Sequence, residues 1–245
     1  MARLYGLIGK KLAHSFSKKY FTSKFKKEKI EECSYELFEL ESINQLKRLI
    51  SDNPHLAGLN VTLPFKSDVI ALLDEVDPAA KEIGAVNVIK IKQGRLIGYN
   101  SDYYGFKQSL GNWIEQGANF KALVLGTGGS SRAVKVALDD LNIEYLCVSR
   151  NATRSEIAYE QVNEALLSTH RLVINTTPLG MYPNVDVAPE IPYSGITPEN
   201  WLYDLVYNPE ETLFMAKGKI SGARVKNGLE MLQVQAEKSW EIWNS

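Results

Sequence analysis

Cysteine is scarce in this chain: among its 245 residues only Cys33 and Cys147 occur, far apart and outside any CxxC spacing. That scarcity argues against a disulfide framework and against a zinc ribbon, and it fits a reducing compartment. The three histidines, His14, His55 and His170, lack the clustered spacing of a metal site, so no metal is expected. Charge of one sign never accumulates into a block, and 28 Lys+Arg against 29 Asp+Glu leave a net charge of -1. Neither a nucleic-acid partner nor a membrane surface is therefore expected. The apolar stretch at the start is too short for a signal peptide, and no later run approaches membrane-spanning length. A soluble, cytoplasmic protein follows as the expectation, with monomer or homodimer left open.

What the chain does have is alternation. Short runs rich in β-branched and aromatic residues are separated by longer segments of helical spacing, the pattern of parallel sheets covered by helices. The fold class read from this is α/β. Early strands are expected at Leu4–Ile8, Tyr35–Leu40 and Leu56–Leu63, with helices near Ser17–Lys27 and Ser42–Ile50. Val86–Ile91 and Arg95–Tyr99, joined at Gln93-Gly94, predict a hairpin closing the first part. A helix is expected over Asp102–Gln116, and Ala122–Leu125 then opens a second strand–helix series. Its helix carries Ala133, Val134, Ala137, Leu138 and Leu141 on one face, and strands follow at Ile143–Val148, Leu172–Asn175, Leu202–Tyr207 and Ala223–Val225. The last segment, Gly228–Trp243, is again helical. Trp113, Trp201, Trp240 and Trp243 are expected to pack, because no basic groove pattern accompanies them.

The segment Gly126-Thr127-Gly128-Gly129-Ser130-Ser131-Arg132-Ala133 lies where a strand hands over to a helix. A pyrophosphate needs close backbone approach and free N–H groups, and a glycine turn before a helix N-terminus supplies both. The spacing is GxGGxxxA rather than GxGxxG, and glycine turns also serve simple packing, so the strand and the amphipathic helix on either side are what make this a dinucleotide signal. An NAD site usually carries an acid at the end of the next strand. Here Ser149-Arg150-Asn151-Ala152-Thr153-Arg154 has none, and Arg150 and Arg154 suit a 2′-phosphate, which predicts NADP(H). The alternative is a solvated basic loop.

In the first half, polar residues gather at expected strand ends: Ser15 and Ser17 after the first strand, and Asn60, Thr62 and Lys66 in Asn60-Val61-Thr62-Leu63-Pro64-Phe65-Lys66. On a strand, Asn60 and Thr62 share a face. Such amides and hydroxyls suit a ligand that itself carries hydroxyls.

These stretches, taken with Gly84-Ala85-Val86-Asn87, Asn100-Ser101-Asp102, Asn175 to Met181, Asp204 to Pro209 and Gly228 to Gln235, resemble the shikimate dehydrogenase family over essentially the whole chain. The resemblance implies reduction of the small-molecule substrate 3-dehydroshikimate to shikimate with NADPH, a step toward the aromatic amino acids. By position it implies that Lys66 and Asp102 form the catalytic pair. Ser15, Ser17 and Tyr207 would hold the substrate carboxylate, and Asn60, Thr62, Asn87 and Gln235 would surround the ring hydroxyls. Gly126, Gly128, Gly129, Ser130, Arg150, Arg154, Thr176 and Gly228 would hold the cofactor. It further implies two domains. Residues 1–101 and 226–245 form an α/β substrate domain completed by the C-terminal helix, and residues 102–225 form a Rossmann-like NADP-binding domain, with closure of a cleft around the ligands.

The chemistry asks for such a pair. As hydride reaches a carbonyl carbon, negative charge grows on its oxygen, and a nearby ammonium lowers the barrier. Without the flanking motifs, Lys66 and Asp102 read as ordinary surface charges. Departures from the family pattern are Ser101, the bulky Tyr103 and Tyr104 beside Asp102, and Ser149 before the first cofactor arginine. The sequence leaves open a quinate/shikimate dehydrogenase of broader specificity, an enzyme for an amino-substituted analogue, and a non-catalytic NADP-binding regulator.

Overall fold

The computed structural model describes residues 2–12, 15–114, 121–153 and 156–245, so His14 and the expected cofactor role of Arg154 lie outside the described residues. The chain divides into two compact units, Met1–Tyr104 with Gln235–Ser245, and Gly105–Val234.

The first unit carries β1 (Arg3–Gly9), α1 (Phe16–Lys27), β2 (Cys33–Glu39), α2 (Leu46–Asp52), β3 (Leu56–Val61), β4 (Glu75–Val76), α3 (Pro78–Ile83), β5 (Val88–Lys92), β6 (Arg95–Tyr99) and the start of α4 (Ser101–Trp113). Its sheet runs β2-β1-β3-β5-β6-β4. Strands β2, β1 and β3 are parallel, and β5 then turns the sheet antiparallel against both β3 and β6. The reversal is local in origin. Gln93 and Gly94, at φ 54° and 78°, form the two-residue turn whose twist matches paired antiparallel strands, so the expected hairpin is present.

In the second unit the order is β7 (Lys121–Leu125), α5 (Gly129–Asp140), β8 (Glu144–Ser149), β9 (Glu156–Ala158), α6 (Glu164–Thr169), β10 (Leu172–Asn175), β11 (Trp201–Asp204), α7 (Leu213–Ile220) and β12 (Arg224–Lys226). α8 (Leu229–Asn244) begins in this unit and ends in the first. The sheet, β12-β11-β10-β7-β8-β9, is parallel throughout. This is the doubly wound Rossmann-like order, with its switch point between β7 and β10, where such sheets bind ligands. Its strands are buried on both faces, Ala122 to Leu125 and Leu172 to Ile174 being fully so, which is why they read as continuous apolar runs.

Packing fixes the far half of α8 on the first sheet. Trp243 lies over Gly58 of β3, where a Cβ would overlap the indole ring, and its Nε1 donates to the Ile89 carbonyl at 3.1 Å. Tyr5, Phe21, Phe25 and Tyr35 complete that aromatic core. Burying rings of this size contributes on the order of 2 kcal/mol each. The consequence for function is positional: Gln235, two turns before Trp243, belongs to the first unit.

Candidate active site

Lys66 sits in the turn after β3. The buried Phe65 anchors that turn, and the Lys66 carbonyl accepts from Val86 N at 2.7 Å, so the base of the side chain is held from both directions. Asp102 sits in the first turn of α4. Asn100 caps this helix, accepting from Tyr103 N at 3.1 Å while its own Nδ2 donates to the Ala85 carbonyl at 2.9 Å. A carboxylate in a first turn is favoured by the helix dipole. Lys66 Nζ and Asp102 Oδ2 meet at 2.7 Å, with the side chains 24% and 11% exposed. The pair is shielded without being sealed, so its lysine can still reach a ligand.

Three of the expected ring-hydroxyl residues converge beside this pair. Asn60 Nδ2 donates to the Asn87 carbonyl at 3.3 Å and to Ser239 Oγ at 3.0 Å, and Asn60 Oδ1 accepts from the Tyr35 hydroxyl at 2.8 Å. Asn87 Oδ1 accepts from Ser101 N at 2.6 Å, and its Nδ2 lies 3.1 Å from Ser101 Oγ and 3.4 Å from Gln235 Oε1. Ser17 joins the cluster by hydrogen-bonding Tyr35, whose fully buried phenol is pushed well above its ordinary range by desolvation. Ser15 caps α1, accepting weakly from Lys18 N at 3.5 Å. Thr62 directly follows β3 and is half-buried, its backbone tied to Ile8 and Phe65. Tyr207 belongs to the second unit; it follows β11 half-buried, and burial raises its phenol pKa.

The second unit presents the glycine turn. Gly126 adopts φ +102°, a conformation that side chains rarely take, and a Cβ there would press on Thr176 and Thr177. At Gly128 and Gly129 a Cβ would meet nothing within 4 Å, so protein packing does not demand glycine there. The backbone of the α5 N-terminus is left open to an approaching group, as a pyrophosphate requires. Ser130 lies in that first turn, half-buried. Thr176, on the neighbouring strand end across the switch point, donates to the Leu125 carbonyl at 2.7 Å. At the end of β8 the buried Ser149 accepts from Asn151 N at 3.3 Å, shaping the turn that exposes Arg150. Arg150 has no ion-pair partner among the described residues. A 2′-phosphorylated dinucleotide thus fits the open backbone, the missing acid and the available guanidinium.

Gly228 has a packing explanation of its own: a Cβ there would overlap the Leu205 carbonyl, while its N–H donates to the Val206 carbonyl at 3.1 Å. Sequence reasoning missed Asp204. This fully buried carboxylate accepts from Thr212 Oγ1 at 2.6 Å, from Val206 N at 3.0 Å and from Asn175 Nδ2 at 3.0 Å. Asn175 Oδ1 in turn accepts from Thr177 N and Oγ1 at 3.0 and 2.6 Å, so one carboxylate braces the loop that bears Thr176. An acid inside the strand-like run Trp201-Leu202-Tyr203-Asp204 was the available signal. No helix among the described residues is long and apolar enough to cross a membrane.

Comparison with known proteins gives a concordant result. Residues 7–89 match the profile of the shikimate dehydrogenase substrate binding domain. A shikimate dehydrogenase (NADP(+)) of Clostridium beijerinckii is 43% identical over 98% of this chain and 91% of its own, and one from Methanococcus aeolicus is 37% identical with the same coverage. Among solved structures, the shikimate 5-dehydrogenase of Thermus thermophilus in complex with NADP(H) and shikimate superposes with a TM-score of 0.85 at 32% identity, covering 98% of this chain and 93% of that one. The 5-ketofructose reductase of a Gluconobacter strain superposes equally well, TM-score 0.85, at 26% identity over 99% and 93% of the two chains.

Proposed function

The chain belongs to the shikimate dehydrogenase family, and from that premise we infer that it catalyses the reversible, NADPH-dependent reduction of 3-dehydroshikimate to shikimate in aromatic amino acid biosynthesis. One observation carries the reading to the level of residues: the 2.7 Å contact of Lys66 with Asp102, one residue from the Ser101 that holds Asn87. Bound NADPH supplies the hydride. Lys66 Nζ lies against the carbonyl oxygen, donates a hydrogen bond to it as negative charge builds, and hands over the proton that completes the alcohol. In the oxidation direction the same nitrogen takes that proton back. Asp102 fixes the ammonium through one oxygen, and its carboxylate accepts a hydrogen bond from the substrate hydroxyl. Electrostatic stabilisation of this kind needs donors already in place, and a lysine tied to a carboxylate at the head of a capped helix meets that condition.

Substrate recognition follows the same economy of fixed groups. Ser15 and Ser17 stand at the N-terminus of the 12-residue α1, where no acidic residue occupies the first turn. Free N–H groups and the dipole there favour a carboxylate. Asn60, Thr62, Asn87 and Gln235 face the ring hydroxyls, and a site whose half-buried amides Asn60 and Gln235 offer an open acceptor and open donors disfavours ligands that lack hydroxyls. On the cofactor side, Gly128, Gly129 and Ser130 would receive the pyrophosphate, and Arg150 would pair with the 2′-phosphate.

Because the 5-ketofructose reductase shares this architecture, the decisive experiment is a matrix of steady-state rates with shikimate and with quinate, each with NADP+ and with NAD+. The expected result is the highest kcat/KM for shikimate with NADP+, exceeding each other combination by at least about tenfold, or ~1.4 kcal/mol. Equal turnover of quinate would make the enzyme a broad quinate/shikimate dehydrogenase, and no turnover of either would overturn the reading.

A further inference from the structure

Two backbone groups fix the direction of the hydrogen bonds in the amide cluster of the first unit. The Asn87 carbonyl only accepts, so the Asn60 atom 3.3 Å from it is Nδ2. The Ser101 amide only donates, so the Asn87 atom 2.6 Å from it is Oδ1. Asn60 therefore turns Oδ1 to the Tyr35 hydroxyl at 2.8 Å and the second proton of Nδ2 to Ser239 Oγ at 3.0 Å. Ser239 owns a single proton, and the Gln235 carbonyl 2.8 Å away, an acceptor only, takes it. Ser239 must then accept from Ser101 Oγ at 3.3 Å. Ser101 Oγ, its proton spent, accepts from Asn87 Nδ2 at 3.1 Å, and the same Nδ2 meets Gln235 Oε1 at 3.4 Å.

The result is a cluster with assigned polarity. Both amide protons of Asn60 are used within the protein, which leaves a lone pair of Oδ1 for a ligand. Gln235 turns Oε1 inward, which leaves the protons of Nε2 without an acceptor among the described residues. Ser239 is the junction of these assignments, because it is the one group bonded to Asn60, to Ser101 and to the backbone of Gln235. It is 1% exposed and Ser101 is fully buried, so bulk water does not stand in for either hydroxyl.

We propose that Ser239 is a positioning residue of the substrate site: by accepting from Asn60 Nδ2 and from Ser101 Oγ it reinforces Asn60 as an acceptor and keeps Ser101 Oγ an acceptor for the Asn87 amide that turns Gln235 Oε1 inward, so that one ring hydroxyl gives its proton to Asn60 and another ligand oxygen receives one from Gln235. This rests on the reading above that Asn60, Asn87 and Gln235 face the ring of a shikimate-like substrate. Ser239 itself touches no ligand. Removing its hydroxyl strands the Ser101 proton and one Asn60 proton in a buried site, so the amides, oriented then by the Asn87 carbonyl and the Ser101 amide alone, are held less firmly against the substrate.

The test uses the full chain in shikimate oxidation with NADP+. Ser239→Ala is expected to raise the KM for shikimate about 5- to 10-fold, with kcat and the KM for NADP+ changed less than about 3-fold. In the Ser239→Ala background, Gln235→Ala is expected to add a much smaller penalty than in the wild type, because the two act through one network. Gln235→Glu, which keeps the inward acceptor and deletes the outward donor, is expected to lose shikimate affinity while retaining the wild-type Tm. An unchanged shikimate KM in a folded Ser239→Ala protein, or penalties that simply multiply, overturns the proposal. Should Ser239→Ala not fold, Ser101→Ala reads the same junction from its other side, and an unchanged KM there overturns it equally. A wild-type enzyme without shikimate activity sinks the functional reading instead, so the two failures are told apart.

Discussion

Asp204 is fully buried, and desolvation lifts its carboxyl from 3.8 to about 6 against the opposing pull of its hydrogen bonds from Thr212, Val206 and Asn175. A carboxyl whose folded pKa is raised binds its proton more tightly in the native state. Its contribution to stability is therefore fully present below about pH 4 and is lost as the pH rises through about 6, a change on the order of 3 kcal/mol. Asp204→Asn removes that titration while keeping an acceptor for Asn175 and Val206. The Tm of wild type minus that of Asp204→Asn is thus expected to be larger at pH 4 than at pH 7; a difference that stays constant across the range would refute the assignment. At this scale the sequence was informative where chemistry and motif coincided, as at Lys66 and Asp102. Their meeting depends on a turn and a helix cap 36 residues apart, which no periodicity encodes. Asp204 stood out as an acid in an apolar run and within a family stretch, but its role was not legible, because the sequence does not reveal the three donors that the fold brings to it. Ser239 was hidden for a similar reason, as a serine on a helix announces neither burial nor partners.

Gly228 links the region after β11 to α8, and its missing Cβ lets the backbone pass against the Leu205 carbonyl. Forcing a methyl group into a packed contact of this kind costs about 1–3 kcal/mol. Gly228→Ala is expected to lower the Tm of the ligand-free protein by several degrees. An unchanged ligand-free Tm with weakened NADP+ binding would instead make Gly228 a cofactor residue alone. Elements with a strong period were legible: α1, β1, the β5–β6 hairpin, β7, α5 and β10 stand within a few residues of where apolar spacing and turn chemistry put them. The short elements β4, α3, β9, α6 and α7 were not resolved by that reading. β4 spans two residues, too few for alternation to register. α3 did carry punctuation, with Asp77 as cap, Pro78 at the first position and Gly84 left-handed at φ 67°, but its six residues show no helical stripe. The expected strand Leu202–Tyr207 ends at Asp204, because the Asp204 carboxylate takes the Val206 N–H that a longer strand would have given to a neighbour.

At the scale of the molecule, one unit holds the lysine, the aspartate and the amide cluster, and the other the glycine turn, Thr176 and Arg150. The α/β class and a second strand–helix series were readable from alternating strands and helices, whereas the Rossmann-like domain came from the glycine turn and the family resemblance, and its strand order is visible only in the fold. The mixed sheet of the first was signalled only by its hairpin, since parallel and antiparallel neighbours share one strand composition. The proposed chemistry turns on Lys66 moving a proton at the reacting oxygen, and kcat for shikimate oxidation by Lys66→Ala at saturating shikimate and NADP+ tests it most directly. The expected result is a fall of about 10²- to 10⁴-fold with shikimate still bound. A kcat near that of the wild type, with only KM raised, would contradict it.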